Sequence, residues 1–413
     1  MEKLTIALDI GSGATKLVAG YFLDQQPIVV DALSVPVPVQ LIDGRLADID
    51  NTASVIRKLI AQLEKNLNQK ITSVVASLPV HGLQIYSATK TTNIISQQGL
   101  IAPMDLKNLQ NLFRKEGIDE AHVQIGLVPE SFELEGDRSF DTPPLNEVSD
   151  SITLTADIHF LDKAVHADYL EALRRAEVKV RHFAVDSHAI AELLTTQDDI
   201  PNEYVIVDVG TNHTSLSFVA NRRLFAATHF DLGARALTEK IETELGIPYE
   251  EALRLHEQFG YDARENFFDG IVYQSVNDPQ GQALIHQSDL NRVIAAFVES
   301  WSAEAWRYLD LLKQEVAPSI AIMNIPWVIM GAGRKLKGFL PLLQAQGPLP
   351  SCLWPRLPIL GARSPAYAPA LGLIVIAHKY AAMHEETPIP VASLERVKSA
   401  KGKTSYSAYE DEL

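Results

Sequence analysis

Cysteine is almost absent, with Cys352 the single thiol in 413 residues. One thiol excludes intrachain disulfides and makes no Cys-based zinc or iron–sulfur site, a usage that fits a reducing cytoplasm. Basic residues are also scarce: 36 Lys and Arg stand against 52 Asp and Glu, a formal net charge of -16. Such a chain repels a phosphate backbone, and it carries no local basic stripe, so no nucleic-acid partner is expected. Long apolar runs are missing as well. The most apolar late segment, Ala366 to Ala377, is interrupted by Pro369 and Gly372 and stops at His378-Lys379, short of the ~20 residues needed to cross a bilayer. The opening residues reach Asp9 and a glycine turn without the apolar stretch of a secretory signal, so a cytoplasmic location is expected. The twelve histidines contain no His-Glu-x-x-His spacing and no pair at i, i+4, which reads as scattered surface residues and not a metal site. What remains is 46% hydrophobic and 21% charged, the composition of a globular protein with material for about two to three domains.

The chain repeats itself once. Ala7-Leu8-Asp9-Ile10-Gly11-Ser12-Gly13-Ala14-Thr15-Lys16-Leu17 matches Ile206-Val207-Asp208-Val209-Gly210-Thr211-Asn212-His213-Thr214-Ser215-Leu216, with Asp, Gly, Thr and Leu each recurring at an offset of 199 residues. Each copy runs from an apolar stretch through Asp-x-Gly into an alternating stretch, which predicts strand, tight turn, strand. A third strand follows in each, over Pro27 to Val37 and over Arg223 to Leu232. Helices come next: Val55, Ile56, Leu59, Ile60, Leu63 and Leu67 share one face, as do Leu237, Ile241 and Leu245. Two similar α/β halves should set their glycine turns face to face across a cleft, where a ligand would sit. Residues 79–157 break the pattern and read as a small inserted α+β subdomain, with an amphipathic helix around Leu106, Leu109 and Leu112-Phe113 and strands near Val123 to Pro129 and Ile152 to Phe160. Residues 260–288 read as a turn-rich excursion before a long helix whose apolar side carries Leu290, Ile294, Phe297, Trp301 and Leu309. On that helix Phe297, Trp301 and Trp306 read as core or interface.

Asp9, Gly11, Ser12, Gly13, Thr15 and Lys16 place a carboxylate, two glycines, two hydroxyls and an ammonium within eight residues. That is the chemistry of a phosphate cradle: glycines let backbone N–H groups approach an anion, hydroxyls add donors and lysine adds charge. Asp9 then suits a hydrated Mg²⁺, which keeps most of its waters and takes few carboxylates. The second copy offers Asp208, Gly210, Thr211, Asn212 and Thr214 in the same order. A third element, Val328-Ile329-Met330-Gly331-Ala332-Gly333-Arg334, runs from an apolar strand into a glycine turn and toward a helix. Gly331, Gly333 and Arg334 would form an adenosine floor.

In this order the three elements resemble the actin-like ATPase superfamily. Within it the chain is most similar to the FtsA cell-division family, to about residue 384. The resemblance extends to Pro129-x-x-Phe132 with the acidic-glycine turn at Glu135-Gly136, and to Ser364-Pro365-Ala366-Tyr367-Ala368-Pro369-Ala370-Leu371-Gly372-Leu373. The resemblance implies an α/β actin-like ATPase fold, two ribonuclease-H-like halves around a nucleotide cleft. Residues 1–78, 158–200 and 361–384 would form the first half, 79–157 an FtsA-type insert, 201–233 and 290–360 the second half, 234–289 its small lobe and 385–413 a flexible tail. It further implies ATP and Mg²⁺ as cofactors, Asp9 and Asp208 as metal ligands, and Asp208 as the catalytic position.

Several positions depart from FtsA. Lys16, seven residues after Asp9, and Leu232-Gly233-Ala234-Arg235-Ala236-Leu237-Thr238 look more like PilM of type IV pilus machines. Thr211-Asn212 stands where a glycine pair is usual, Ala332 where glycine is usual, and His256 where a lysine near adenine is usual. Added side chains narrow a pocket, so at most weak ATPase activity is implied, and a degenerate nucleotide-binding protein with little turnover is an alternative. As partners the FtsA resemblance implies the FtsZ C-terminal tail, on the lobe near residues 234–289, and self-association into oligomers or filaments. It places the chain at the cytoplasmic membrane face of the bacterial division septum. The tail from Ser393 to Leu413 has only Leu394 and Val397 as large apolar residues and ends in Glu410-Asp411-Glu412, too little for an amphipathic membrane helix. The basic run Arg396 to Lys403 adds an attraction of about 1 kcal/mol per charge near anionic lipid, so the membrane would be reached through other division proteins. A PilM-like pilus scaffold is the alternative, and a sugar or acetate-type kinase the third.

Overall fold

The computed structural model describes residues 3–36, 41–114, 119–264, 267–275, 284–316, 324–331, 333, 336–347, 350–355, 357, 359, 361–383 and 389–390. Arg334 and the tail beyond residue 390 lie outside them. The first half opens with β1 (Lys3–Ile10), β2 (Thr15–Leu23) and β3 (Gln26–Val35), then the small hairpin β4 (Leu41–Ile42) and β5 (Arg45–Leu46), helix α1 (Ile49–Leu67) and β6 (Ser73–Leu78). Next come β7 (Gln84–Asn93), α2 (Pro103–Phe113), β8 (His122–Leu134), β9 (Arg138–Phe140) and β10 (Ser151–Asp162), followed by α3 (Lys163–Arg175), β11 (Lys179–Val185) and α4 (Asp186–Leu194). The second half holds β12 (Glu203–Val209), β13 (Thr214–Ala220), β14 (Arg223–Phe230), α5 (Ala234–Leu245), α6 (Tyr249–Gln258), β15 (Ile271–Gln274), β16 (Leu284–His286), α7 (Gln287–Val316), β17 (Trp327–Met330), α8 (Phe339–Ala345) and β18 (Cys352–Leu353). A 3₁₀ turn, Pro365–Tyr367, leads into α9 (Ala368–Lys379), and β19 (Ile389–Pro390) pairs with the start of β1.

The repeat in the sequence becomes a repeat in topology. One sheet runs β11-β6-β1-β2-β3 and the other β14-β13-β12-β17-β18. In each, the Asp-x-Gly strand pairs antiparallel with the next strand and parallel with an edge-ward neighbour, β6 in one and β17 in the other. The insert forms its own sheet, β7-β10-β8-β9, with β8 and β10 antiparallel over most of their length.

Helix positions follow from burial. Asp48 caps α1 by accepting from Asn51 N–H, Asn68 closes it in the left-handed region, and the face read from spacing, Val55 to Leu67, is buried. Helix α7 buries Leu290, Ile294, Phe297, Trp301 and Leu309, so its aromatic residues belong to the core of the second half. The segment too short for a bilayer is α9, whose residues from Ala368 to Ala377 are all buried against α4, β1 and β2. A helix apolar all round needs such a site. Among the described residues, no helix is long and apolar enough to cross a membrane. Two local expectations change. The helix after the third glycine turn begins only at Phe339, after Gly338 in the left-handed region, and the 260–288 excursion contains the two-stranded sheet β15-β16.

Candidate functional site between the two glycine turns

Each hairpin closes in the same way. Gly11 N–H donates to Ala14 C=O (3.2 Å) and Gly210 N–H to His213 C=O (3.0 Å). The register sets Asp9 opposite Lys16 and Asp208 opposite Ser215. Asp9 is buried and fully engaged: Lys16 Nζ donates to Oδ2 (2.8 Å) and Ser77 Oγ, at the end of β6, to Oδ1 (2.8 Å). The two turns also touch each other. Asn212 N–H donates to Ser12 Oγ (3.3 Å), and the Thr211 hydroxyl lies against Gly13 so closely that a side chain there would collide with it.

Beneath this contact lies a cavity of about 220 Å³. Asp9, Gly11, Ser12, Gly13, Lys16, Asp208, Gly210, Thr211 and Gly331 line it, which brings together all three elements singled out in the sequence. Gly331 is there by necessity: its φ is +82°, and a Cβ would meet the Asp208 carboxylate and the Val209 carbonyl. Thr15, Asn212, Thr214 and Gly333 are not among the lining residues. Thr214 instead donates to Leu232 C=O (2.6 Å) and accepts from Trp301 Nε1 (3.0 Å), a structural role, and Gly333 packs on Val209. His256, expected near adenine, is buried against Thr238 Oγ1 (3.1 Å) inside its own lobe.

Sequence reasoning missed Asp186, Ser77 and His213, which also line the cavity. Asp186 opens α4 directly after β11, a position that no motif marks. The resulting electrostatics are lopsided, with three carboxylates facing one ammonium. Burial, then the Asp9 charge, pushes Asp208 up to about 6 against the relief offered by Lys16, and burial, then Asp208 and Asp9, pushes Asp186 up to about 8. A divalent cation would return both to the ionised state. Among the described residues no group of three or more His, Cys, Asp or Glu converges to hold a metal by protein ligands alone. The donor set therefore fits Mg²⁺, which completes its shell with water and phosphate oxygens. The glycine cradle fits phosphates, and a cavity of about 220 Å³, below the roughly 300–1,000 Å³ of whole-ligand pockets, is of a size for the phosphate end of a ligand.

No protein-family model matches the chain. FtsA of Bacillus subtilis is 22% identical over 381 residues, 91% of this chain and 84% of that protein. FtsA of Buchnera aphidicola (subsp. Baizongia pistaciae) is 20% identical over 314 residues, 75% of this chain and 71% of its own length. FtsA of Enterococcus faecalis is 19% identical over 342 residues, 82% of this chain and 76% of its own length. Eight curated relatives at this level all carry that name. Over most of its length the chain is similar to FtsA proteins. Solved structures agree on the fold of this FtsA-like chain: a chain of the PilM–PilN type IV pilus biogenesis complex superposes with a TM-score of 0.56 at 19% identity, covering 90% of this chain and 98% of that one. MreB5 of Spiroplasma citri bound to ADP superposes at 0.53 and 12%, covering 92% and 97%. The FtsA-like chain thus has the actin-like ATPase fold, with its cavity between the two duplicated turns.

Proposed function

We propose that this FtsA-like chain is an actin homologue of the bacterial cell-division apparatus that binds ATP with Mg²⁺ between its halves and recruits FtsZ to the cytoplasmic membrane face. The observation that supports this best is the convergence of Asp9, Lys16, Asp208, Gly210 and Gly331 on one cavity, in a chain whose curated relatives are FtsA proteins over most of its length. Gly11, Ser12, Gly13 and Lys16 would hold phosphate oxygens from one side and Gly210 and Thr211 from the other, while Asp9 and Asp208 would hold the hydrated cation. Bound Mg²⁺ supplies charge neutralisation at the phosphates. Asp208, whose carboxyl is pushed up to about 6 by burial and the Asp9 charge, is the group that would accept a proton from an attacking water. The role is that of a binding scaffold, self-associating and docking the FtsZ C-terminal tail on the lobe near residues 234–289.

Calorimetric titration with ATP and Mg²⁺ tests the site: Asp208→Ala should bind roughly ten- to a hundred-fold more weakly than the native chain. Equal affinity would remove Asp208 from the cation site. The partner is tested by pull-down with the FtsZ C-terminal peptide. Absence of capture, with capture of a pilus membrane-protein tail instead, would replace the division role by a PilM-like one.

A further inference from the structure

Three histidines expected at the surface form one cluster across the cleft. His81 comes from the segment after β6 in the first half, His213 from the second turn and His229 from β14. The His81 and His229 rings lie 3.6 Å apart at 37°, His213 stands edge-on to His81 at 4.9 Å and 89°, and His213 and His229 are 6.2 Å apart. His81 is 6% exposed, and its Nδ1 is buried without a hydrogen-bond partner. Asp231 faces His213 and His229, and Asp43 faces His229. His213 shares its cavity with Asp9, Asp186, Asp208 and Lys16. The trio is not arranged to hold a metal. The cluster favours neutral rings: burial and then mutual repulsion bring His81 down to about 3, burial and then His229 bring His213 down to about 4, and His229 is lowered mainly by burial.

We propose that nucleotide binding in this cleft is coupled to proton uptake by the cluster, with His213 becoming the imidazolium that faces the phosphates. This rests on the ATP–Mg²⁺ proposal. The proton comes from the buffer and forms an N–H bond on one imidazole; no other bond changes. The geometry allows one such charge. An edge-on ring pair tolerates a cation beside a neutral face, while the close His81–His229 stack disfavours two. A net negative charge about 5 Å away at an effective dielectric of about 20 raises an imidazole pKa by roughly two. Magnesium-bound ATP carries roughly two such charges, enough to bring His213 into the neutral range. Because His81 belongs to one half and His213 and His229 to the other, the proton would also reinforce closure.

The test is calorimetric titration of the full chain with ATP and excess Mg²⁺ near neutral pH, in two buffers of very different ionisation enthalpy. The slope of apparent heat against buffer enthalpy reads protons taken up per nucleotide. Because the cation would also ionise Asp186, whose carboxyl lies at about 8, the cluster's share is read as a difference: His213→Asn should take up about 0.5 to 1 proton fewer than the native chain, His81→Asn should lie between the two, and His166→Asn, outside the cluster, should match the native amount. Binding by the native chain and His213→Asn with the same slope overturns the proposal and leaves the nucleotide site standing. Uptake that persists in both cluster variants overturns the assignment. No heat and no thermal shift with a folded native chain would remove the nucleotide site and this coupling together. His213→Gln repeats the comparison, so a single variant that misfolds does not shelter the idea.

Discussion

Asp186 carries the largest consequence of any one residue in the cleft. Its carboxyl, pushed up to about 8 from an ordinary 3.8 by burial and by two neighbouring aspartates, holds a proton in the folded chain at pH values where the unfolded chain has lost it. The stabilisation is therefore complete below about pH 4 and is lost as pH rises through about 8. The nucleotide-free chain should melt progressively lower across that window. Asp186→Asn keeps the shape without the charge, so it should melt a few degrees higher than the native chain at pH 8 and nearly alike at pH 4. Thermal melts at both pH values measure it, and a native-like slope in the variant would exonerate Asp186. Excess Mg²⁺ should flatten the native slope if the cation sits among these carboxylates. None of this was visible in the chain as text. Asp9 and Asp208 announce themselves by repetition, but Asp186 reaches the cavity only because β11 ends beside β6, with Val185 paired to Leu78, 107 residues earlier.

Among the elements, those with a regular apolar period were legible, because burial of one face fixes both helix and register: α1, α7 and the paired hairpins follow their spacing closely. Contacts between elements were not. The insert is tied to the second half by Arg223, at the start of β14, whose guanidinium donates to both carboxylate oxygens of Asp157 on β10 (3.0 and 3.1 Å) and pairs with Glu130 on β8. Ser87 on β7 also donates to Asp157. Nothing in sequence order links these positions. The Asp157 side chain is 4% exposed, so burial pushes its carboxyl up, with Ser87 and Arg223 working against this. Arg223→Ala leaves that carboxylate without its cation, at a cost of about 3–5 kcal/mol. The loss should appear first as faster hydrogen exchange in β7, β8 and β10, with β1 and β12 nearly unchanged. Uniform acceleration across the chain would mean that the bridge supports the global fold and not the seating of the insert.

At the scale of the whole molecule, two sheets of like topology are joined at their Asp-x-Gly turns by few direct bonds, chiefly Asn212 to Ser12 and the Thr211–Gly13 contact. On the proposed ATP–Mg²⁺ reading, the ligand's phosphates would sit in the cavity of about 220 Å³ below these turns and be held from both halves. Opening costs little at a contact of one 3.3 Å hydrogen bond. A polyphosphate held as proposed would replace it with charged interactions from both turns, and the proposed imidazolium would reinforce them. A ligand that binds only the folded chain stabilises it by about 2.7 kcal/mol at a hundred times its Kd. Saturating ATP–Mg²⁺ should therefore raise the melting temperature by several degrees and slow hydrogen exchange at residues 10–16 and 209–215 together, whereas Asp208→Ala should show much less of both effects at the same ligand concentration. Protection confined to one turn would mean that the ligand sits on a single half. Equal protection of both, weakened in the variant at the same ligand concentration, is the signature expected of a cleft that works as two jaws.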